Sequence, residues 1–434
     1  MTISAVPQSR DQVQYPLSQN LRGVPHDRAP TIRSVRIVSS KTTQSLSIAL
    51  IGGYLPRLCG IATFTTWIDE ALREVFPTST TDVYAMVDAG RTYRFPSAVV
   101  NTIAQQDRES YRAAGRAIQA RGVDILWVQH EFGIFGGQAG IYLLDLLDET
   151  DAPVAITLHT VLSDPAPEQR VVMDHFNRRA ALFIVMAEQA RMILMTTYGV
   201  PSGRIAVIPH GVPDRPYVKP SDARRRNAIA DRRTILTFGL LSPDKGIETM
   251  IRAMPRILSR NPDVVYRVLG ATHPHLVARE GETYRNWLKK LAEELGVSNA
   301  LRWENRFVDE EELLSQLAAA DIYVTPYRNA AQITSGTLAY AAGLGKPIIA
   351  TPYVHAAELL AGGRGMIFDF DNVSALAECV GYLLDDDLTR ERMARSIYAH
   401  SRSMTWHCMA ERVMERFRSI VQPEAESLLE AMNP

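Results

Sequence analysis

Residues 205–240 decide the architecture of this chain, and they read IAVIPHGVPDRPYVKPSDARRRNAIADRRTILTFGL. The runs at 205–211 and 234–240 have the apolar composition of buried strands. The segment between them, 212–233, holds three prolines and many charges with no apolar period, which is typical of a connection. We therefore predict that the chain divides here into two folded lobes.

On both sides of this connection, short apolar runs alternate with segments of helix length. Runs that are apolar throughout indicate strands covered on both faces, and helical crossovers indicate parallel sheets. Twelve strands are more than one open sheet usually contains. We therefore predict an α/β fold of two doubly wound Rossmann-like domains facing across a cleft. The predicted strands are 47–54, 81–88, 124–131, 153–159, 182–187, 205–211, 234–240, 265–270, 301–307, 321–327, 347–351 and 366–370.

The connection and the two chain ends set the predicted domain boundaries. In the last segment, Trp406 and Phe417 belong to an apolar helical stripe that predicts a terminal helix crossing back to the first domain. The arginines at 224–226 fit a solvated linker better than a phosphate or membrane patch. The predicted parts are a mobile tail (1–44), a first domain (45–212), a linker (213–233), a second domain (234–388) and C-terminal helices (389–434).

Composition excludes several protein classes. The 434 residues carry 47 Lys and Arg against 48 Asp and Glu, which argues against a basic nucleic-acid binder. Cys59, Cys379 and Cys408 lack metal-ligand spacing and are too few for a disulfide framework, which fits a reducing cytoplasm. No apolar stretch is long enough to span a bilayer, and the first residues lack the apolar region of a secretory signal.

Polar residues that end predicted strands are candidate ligands, because doubly wound sheets bind at the carboxyl ends of their strands. His130 and Glu131 end one strand and precede a glycine-rich loop. Glu131 could act as a general base or hydroxyl acceptor, and a salt-bridged structural carboxylate is the alternative. His159 ends the next strand and would point into the cleft, or it is a hydrogen-bonded structural histidine.

Three loops could hold an anion. Gly60 lies in a glycine-containing loop before a helix, with spacing that differs from the dinucleotide fingerprint. Lys245 stands where a strand gives way to a helix, and a surface lysine is the alternative. The sequence Ser335-Gly336-Thr337 opens a short alanine-rich helix whose hydroxyls and N–H groups would form a neutral anion seat. The run 385–387 is interpreted as a helix boundary instead of a metal motif.

Four motifs in order give the chain a family resemblance. They are IPHGVPD (208–214), FGLLSPDKGIE (238–248), ADIYVTPY (320–327) and GLGKPIIATP (343–352). From about residue 47 to 405 the chain resembles the family 4 retaining glycosyltransferases (glycosyl transferases group 1), which have the GT-B fold. The resemblance implies that a sugar passes from a nucleotide-sugar donor to a hydroxyl acceptor with retention and without a metal or other cofactor.

The resemblance also assigns residues. It implies that His159 contacts the donor sugar and that Lys245 neutralises the donor diphosphate. Gly60 would approach the donor phosphates or the acceptor, and Glu358 would be the family's donor-binding glutamate near the last donor loop. The family's Glu-x7-Glu pair becomes Gln332 and Tyr340 here, and the arginine expected five residues before the lysine is Leu240. Gln332 could still bind a sugar hydroxyl, whereas Tyr340 could only stack or donate. From their positions in the sequence, and not from the resemblance, His130, Glu131 and His210 are possible contacts to the acceptor or the sugar.

The leading hypothesis is therefore a cytoplasmic hexosyltransferase with Lys245 and the 335–337 turn as its diphosphate seat. The resemblance is compatible with GDP-mannose or a UDP-sugar as donor and with a glycan, lipid-linked or small-molecule acceptor. Arginines at 178–179 and 224–226 would allow peripheral contact with anionic lipids. Two alternatives stay open: a nucleotide-sugar epimerase or phosphorylase on the same fold, and a non-catalytic nucleotide-sugar sensor.

Overall fold

The computed structural model describes residues 45–227, 229 and 232–422. The predicted tail at 1–44 and the end of the chain after 422 lie outside these residues. The described strands form two fully parallel sheets, one of seven strands and one of six. The doubly wound α/β architecture predicted from the sequence is therefore confirmed.

The first sheet has the strand order β3-β2-β1-β4-β5-β6-β7. Its strands are β1 (Ser47–Gly52), β2 (Thr80–Val87), β3 (Val99–Ala104), β4 (Ile125–His130), β5 (Val154–Leu158), β6 (Ala180–Val185) and β7 (Ile205–Val207). The helices between them are α1 (Gly60–Val75), α2 (Arg108–Arg121), α3 (Tyr142–Asp148), α4 (Pro167–Arg179) and α5 (Glu188–Tyr198).

The second sheet has the strand order β10-β9-β8-β11-β12-β13. Its strands are β8 (Thr234–Phe238), β9 (Val265–Leu269), β10 (Leu301–Glu304), β11 (Ile322–Thr325), β12 (Ile348–Ala350) and β13 (Met366–Ile367). The helices are α6 (Pro220–Arg226), which precedes the sheet, then α7 (Ile247–Arg260), α8 (Pro274–Glu280), α9 (Thr283–Glu294), α10 (Glu310–Ala319), α11 (Gly336–Gly343), α12 (Val354–Leu359), α13 (Val373–Asp385), α14 (Asp387–Ser401) and α15 (Trp406–Val421).

Helix α15 returns to the first lobe, as its apolar stripe predicted. Trp406 lies edge-on to Phe64 of α1, with ring centroids 5.2 Å apart, and Phe417 meets Trp127 of β4 at the same distance. Gly211 accommodates this return, since a Cβ there would come within 2.0 Å of the Trp406 ring. The terminal helix therefore packs against the connection after β7 and against the core of the first lobe.

The structure corrects three sequence predictions. Strand β3 was missed, because most of its residues are exposed and it lacks a buried apolar run. The strand predicted at 301–307 ends at Glu304, which leaves a loop before α10. Arg224 is not solvated: it lies buried in α6 and pairs with Asp321 at 2.8 Å. The strands divide between 207 and 234 as predicted, but the described residues form one compact unit, so the domain boundaries stay a prediction.

Other features follow the sequence. Asp385 ends α13 and Asp386 caps α14 through its side chain, so the acidic run at 385–387 is a helix boundary as predicted. Among the described residues, no three His, Cys, Asp or Glu side chains come together as a metal site would require. In that same part of the chain, no helix has the length and apolar character needed to cross a membrane.

Candidate active site

A cleft of about 640 Å³ is lined by loops that follow strands of both sheets. Ligands of doubly wound folds bind at this edge, because loops leaving the carboxyl ends of parallel strands converge there. Nine of the residues singled out in the sequence line the cleft: Gly60, Glu131, His210, Lys245, Gln332, Ser335, Gly336, Thr337 and Tyr340. Three others, His130, His159 and Glu358, are not part of its wall.

Lys245 is held at the cleft by the turn that follows β8. Gly246 allows this turn, because its φ is +61° and a Cβ would come within 2.0 Å of the Pro326 carbonyl oxygen. The ammonium nitrogen of Lys245 lies 3.8 Å from the ring centroid of Tyr327, a cation–π contact. The Tyr327 hydroxyl in turn lies 2.7 Å from the Thr337 hydroxyl at the start of α11. One buried tyrosine therefore links the cation to the predicted anion seat.

The start of α11 has the geometry expected of an anion seat. Ser335 is its N-cap, and the Ser335 hydroxyl accepts the N–H of Leu338 at 3.3 Å. The N–H groups of Gly336 and Thr337 have no acceptor within the helix, as in every first turn, and no acidic residue lies in this one. These amides and Lys245 therefore offer positive charge from two elements to one ligand.

His210 contributes a hydrogen-bond acceptor beside this seat. Its Nδ1 lies 2.7 Å from the carbonyl oxygen of Gly211, which can only accept, so Nδ1 carries the proton. Burial lowers the pKa of His210 to about 4, so the ring is neutral near pH 7. Its Nε2 lies 3.3 Å from where a Cβ on Gly336 would stand. The unprotonated nitrogen therefore faces the first residue of α11.

Glu131 reaches the cleft from the end of β4, and within the described part of the chain it forms no ion pair. Its two carboxylate oxygens accept from the Phe132 N–H at 3.1 Å and from the Thr160 hydroxyl at 2.6 Å. Burial raises its pKa, opposed by these two hydrogen bonds. Glu131 is therefore a hydrogen-bonded carboxylate on the cleft wall, suited to accepting a hydroxyl proton or hydrogen bond.

The two residues that replace the family's carboxylates make contacts of their own. The side-chain amide of Gln332 donates to the Thr334 carbonyl at 2.9 Å, which leaves its amide oxygen to accept. Tyr340 is buried, and its hydroxyl donates to Glu310 Oε1 at 3.2 Å. Burial raises the pKa of Glu310 to about 7. The Tyr340 hydroxyl is thus engaged by a carboxylate from α10.

Two histidines lie beneath the cleft wall: His130, the last residue of β4, and His159, the residue that follows β5. His130 is fully buried among Phe132, Phe135 and Phe176, and neither ring nitrogen has a hydrogen-bond partner among the residues that the structure describes. A sugar contact by His130 would require it to leave this aromatic packing, so the structure places it in the core. His159 Nε2 lies 3.1 Å from Gln129 Oε1, and burial lowers the pKa of His159 to about 3.

Glu358 was assigned to the donor by resemblance, but its contacts lie elsewhere. Both carboxylate oxygens accept backbone N–H groups at the start of α5, from Glu188 and Gln189, each at 2.8 Å. Sequence reasoning also missed the cleft loop 306–308, because the run LRWENRF was interpreted as one strand. Trp406 was predicted only as core, yet it reaches the cleft as well.

Two family models match the chain. Residues 72–215 match Glycosyltransferase Family 4, and residues 219–400 match Glycosyl transferases group 1. The chain is 28% identical over 319 residues to a D-inositol 3-phosphate glycosyltransferase of Corynebacterium efficiens, covering 68% of this chain and 72% of that protein. It is 26% identical over 285 residues to a GDP-mannose-dependent alpha-(1-6)-phosphatidylinositol monomannoside mannosyltransferase of Mycolicibacterium smegmatis, covering 62% and 70% respectively.

Solved structures show the same fold at lower identity. Sucrose-phosphate synthase of Thermosynechococcus elongatus superimposes with a TM-score of 0.70 and 18% identity, covering 87% of this chain and 100% of that one. Anabaena HepE in complex with UDP and glucose superimposes with a TM-score of 0.68 and 17% identity, covering 86% and 100%. These structures share the arrangement of two parallel sheets that the described residues display.

Proposed function

The chain belongs to the family 4 retaining glycosyltransferases (group 1, GT-B fold) and transfers sugar from a nucleotide-sugar donor; from this premise we propose how its cleft does so. Lys245 and the N–H groups of Gly336 and Thr337 hold the donor diphosphate. The observation that carries this proposal is a pair of contacts made by Tyr327: its ring faces the Lys245 ammonium, and its hydroxyl lies beside the Thr337 hydroxyl. It places an ammonium group and a helix N-terminus on one cavity.

The seat would accelerate transfer by stabilising the leaving group. As the bond from the sugar anomeric carbon to the phosphate oxygen breaks, negative charge grows on the departing diphosphate, and fixed donors bind it more strongly than they bind the ground state. The acceptor oxygen bonds to the same face of that carbon, and its proton passes to the departing phosphate. Such a route requires no protein nucleophile.

The polar acceptors on the cleft wall would position the sugar. Glu131, the Gln332 amide oxygen and the unprotonated nitrogen of His210 line the cavity beside the diphosphate seat, and each can accept a hydrogen bond from a sugar hydroxyl. The loop at 306–308 and Tyr340 line the same cavity and would enclose the nucleoside. His159 supports this wall from below through its edge contact with Phe64, 4.7 Å between centroids.

For the acceptor, we propose a small polyol that carries a phosphate. The relatives act on inositol phosphate or phosphatidylinositol mannoside by name, and the first lobe has a fitting feature. Arg57 pairs with Asp88 at 2.7 Å, which ties the glycine-containing loop to the segment after β2. That segment carries exposed Arg91 and Arg94 at the carboxyl edge of the sheet. Exposed guanidinium groups at this edge suit an anionic acceptor.

The proposal is tested by measuring nucleoside diphosphate release from GDP-mannose and UDP-sugars, with and without D-inositol 3-phosphate. We expect acceptor-dependent release from one donor class, and a product that retains the anomeric configuration by NMR. Lys245→Ala should lower turnover at least about tenfold, because removing one charge-stabilising donor costs about 10²–10³ in rate. Exposed Lys289 on α9 offers the matched control, Lys289→Ala.

Two results would overturn parts of this assignment. Unchanged turnover in Lys245→Ala would place the diphosphate elsewhere in the cleft. Tight nucleotide-sugar binding without release on any acceptor would favour the sensor. The matched family models and the named curated relatives are glycosyltransferases, which favours transfer over the sensor and over the epimerase or phosphorylase.

A further inference from the structure

The contact between Glu358 and α5 joins the two lobes. Helix α5 belongs to the first lobe, and its own N-cap residue, Ala187, has no side chain that can accept a hydrogen bond. The carboxylate of Glu358, from α12 of the second lobe, accepts the N–H groups of Glu188 and Gln189 instead, at 2.8 Å each. A residue of one lobe thus caps a helix of the other, with its negative charge at the positive end of the helix.

Helix α12 is also tied to the loop that precedes α11. The N–H of Val354 donates to the Ala330 carbonyl oxygen at 3.2 Å, and the N–H of His355 donates to the Gln332 carbonyl oxygen at 3.2 Å. The Nδ1 of buried His355 accepts the N–H of Ser335, the N-cap of α11, at 2.8 Å. Three hydrogen bonds therefore fix the loop 330–335 to the helix that carries Glu358.

Apolar contacts dock the same unit on the first lobe. Ile333 is 2% exposed and belongs to the first lobe's core cluster, which also includes Leu158 and Val161. Val354, at the start of α12, packs against this cluster. The loop before the diphosphate seat thus meets the first lobe by two apolar side chains, and Glu358 adds a charged contact one turn further along.

We propose that Glu358 is a positioning residue that holds the two lobes closed around the donor. It acts through α12: when its carboxylate caps α5, α12 and the loop 330–335 bonded to it are docked on the first lobe, while the bonds that shape the seat lie within the second lobe. This inference rests on the function proposed above. It reassigns the residue, because both Glu358 oxygens are already occupied by N–H groups and the side chain is not part of the cleft wall.

The expected consequence is a separation of donor binding from transfer. The proposed seat, Lys245 and α11, lies wholly in the second lobe, so nucleoside diphosphate can bind whether or not the lobes are closed. Transfer needs both lobes together, since the acceptor side belongs to the first lobe and closure excludes water. Breaking the Glu358 contact should therefore lower the transfer rate and raise the share of donor lost to hydrolysis.

Variants on both sides of the contact test this. Glu358→Ala removes both acceptors, and Glu358→Gln keeps one. On the other side, Glu188→Pro replaces one N–H by a proline Cδ that faces the Glu358 carboxylate: residue 188 is the first of α5, where the helix tolerates proline, and Ala187 has the extended backbone (φ −140°, ψ 144°) that proline requires before it. Glu188→Ala loses the same side chain but keeps the N–H, so the difference between these two variants reports the loss of this contact with Glu358.

We expect kcat for transfer to be about tenfold lower in Glu358→Ala than in the wild type, and about tenfold lower in Glu188→Pro than in Glu188→Ala. Glu358→Gln should lie between Glu358→Ala and the wild type. The reason is that hydrogen bonds to a charged group contribute about a factor of ten or more. The dissociation constant for nucleoside diphosphate should change less than about twofold, because the seat itself is intact. Hydrolysis of the donor should rise relative to transfer. Circular dichroism confirms that each variant is folded.

Two patterns would overturn the inference. If Glu358→Ala weakens nucleoside diphosphate binding while Glu188→Pro matches Glu188→Ala, Glu358 is a donor ligand. If all variants keep the wild-type kcat, the contact is packing alone. Small-angle X-ray scattering tests whether Glu358 holds the lobes together without any activity measurement. The radius of gyration should rise in Glu358→Ala, and an unchanged value contradicts the proposal that Glu358 keeps the lobes closed. A wild type inactive on every donor would refute the proposed function, whereas the scattering result would still judge the contact.

Discussion

The carboxyl edges of the two sheets are built from similar topology and used in different ways. In the first lobe, the histidines at 130 and 159 turn into the protein, where burial lowers the pKa of each to about 3. In the second lobe, Lys245 and the first residues of α11 face the cleft. The two histidines of the first edge are neutral, packed rings, whereas the second edge presents a cation and amides without an intrahelical acceptor.

The difference shows that a polar residue at the end of a strand is not by itself a ligand. His130 is surrounded by three phenylalanine rings, so its packing resembles that of an aromatic core residue. Lys245 leaves its turn beside an aromatic face that attracts a cation without neutralising it. At the diphosphate seat, the second lobe thus supplies the cation and the amides, and these two histidines of the first lobe supply packing.

The largest effect should come from removing one amide of the second-lobe edge. Gly336 is the first residue of α11, and Ser335 before it is extended, so the helix tolerates Gly336→Pro, which replaces one N–H of the seat by a Cδ. Gly336→Ala adds a similar Cβ, 3.3 Å from His210 Nε2, and keeps the N–H. We expect kcat to be about 10²-fold lower in the proline variant than in the alanine variant. Equal kcat values would mean that this amide does not bind the diphosphate.

A smaller loss should follow from loosening the second-lobe edge indirectly. His355→Leu leaves the buried N–H of Ser335 without its acceptor, which costs about 1–3 kcal/mol and should lower kcat about tenfold. His355→Asn can place an oxygen near the former Nδ1 and should recover part of that loss. If the two variants have the same kcat, the Ser335 contact does not organise the seat.

The first-lobe edge should affect stability with little effect on rate. We expect His130→Phe to keep kcat within about twofold at pH 7.5, because the ring fills an aromatic core. His130 has a lowered pKa when folded, so the unfolded chain takes up its proton first as pH falls below about 6.5, and stability declines toward the folded pKa of about 3. Urea unfolding at pH 4.5 and 6.5 measures this effect. Between these pH values, the variant should take up about one proton fewer on unfolding than the wild type, so its free energy of unfolding should change less with pH. A large loss of kcat in His130→Phe would instead indicate that His130 takes part in transfer.

Chelation should have the smallest effect. Because the proposed seat supplies positive charge from Lys245 and backbone amides, EDTA should leave the transfer rate within experimental error of the untreated enzyme. A rate that falls with EDTA and returns with a divalent cation would contradict this, because the seat would then need a metal ion in addition to Lys245 and the amides.

Much of the fold was predictable because strands buried on both faces are apolar throughout. β4 and β11 carry that signal, and both were identified. β3 was missed because it forms the edge of its sheet and exposes most of its residues. Arg224 was misinterpreted for a related reason: its partner, Asp321, is 97 residues away, and no local pattern shows that contact.

The sequence by itself determined the two parallel sheets, the returning terminal helix and the strand ends where ligands bind, because hydrophobic period and glycine or proline punctuation are local properties of a chain. Tertiary structure alone decided which strand-end side chains face the cleft, and it assigned Glu358 to a helix of the opposite lobe. Such roles depend on which groups meet across long separations, since burial, a helix end or an aromatic neighbour sets what a histidine, lysine or glutamate can do.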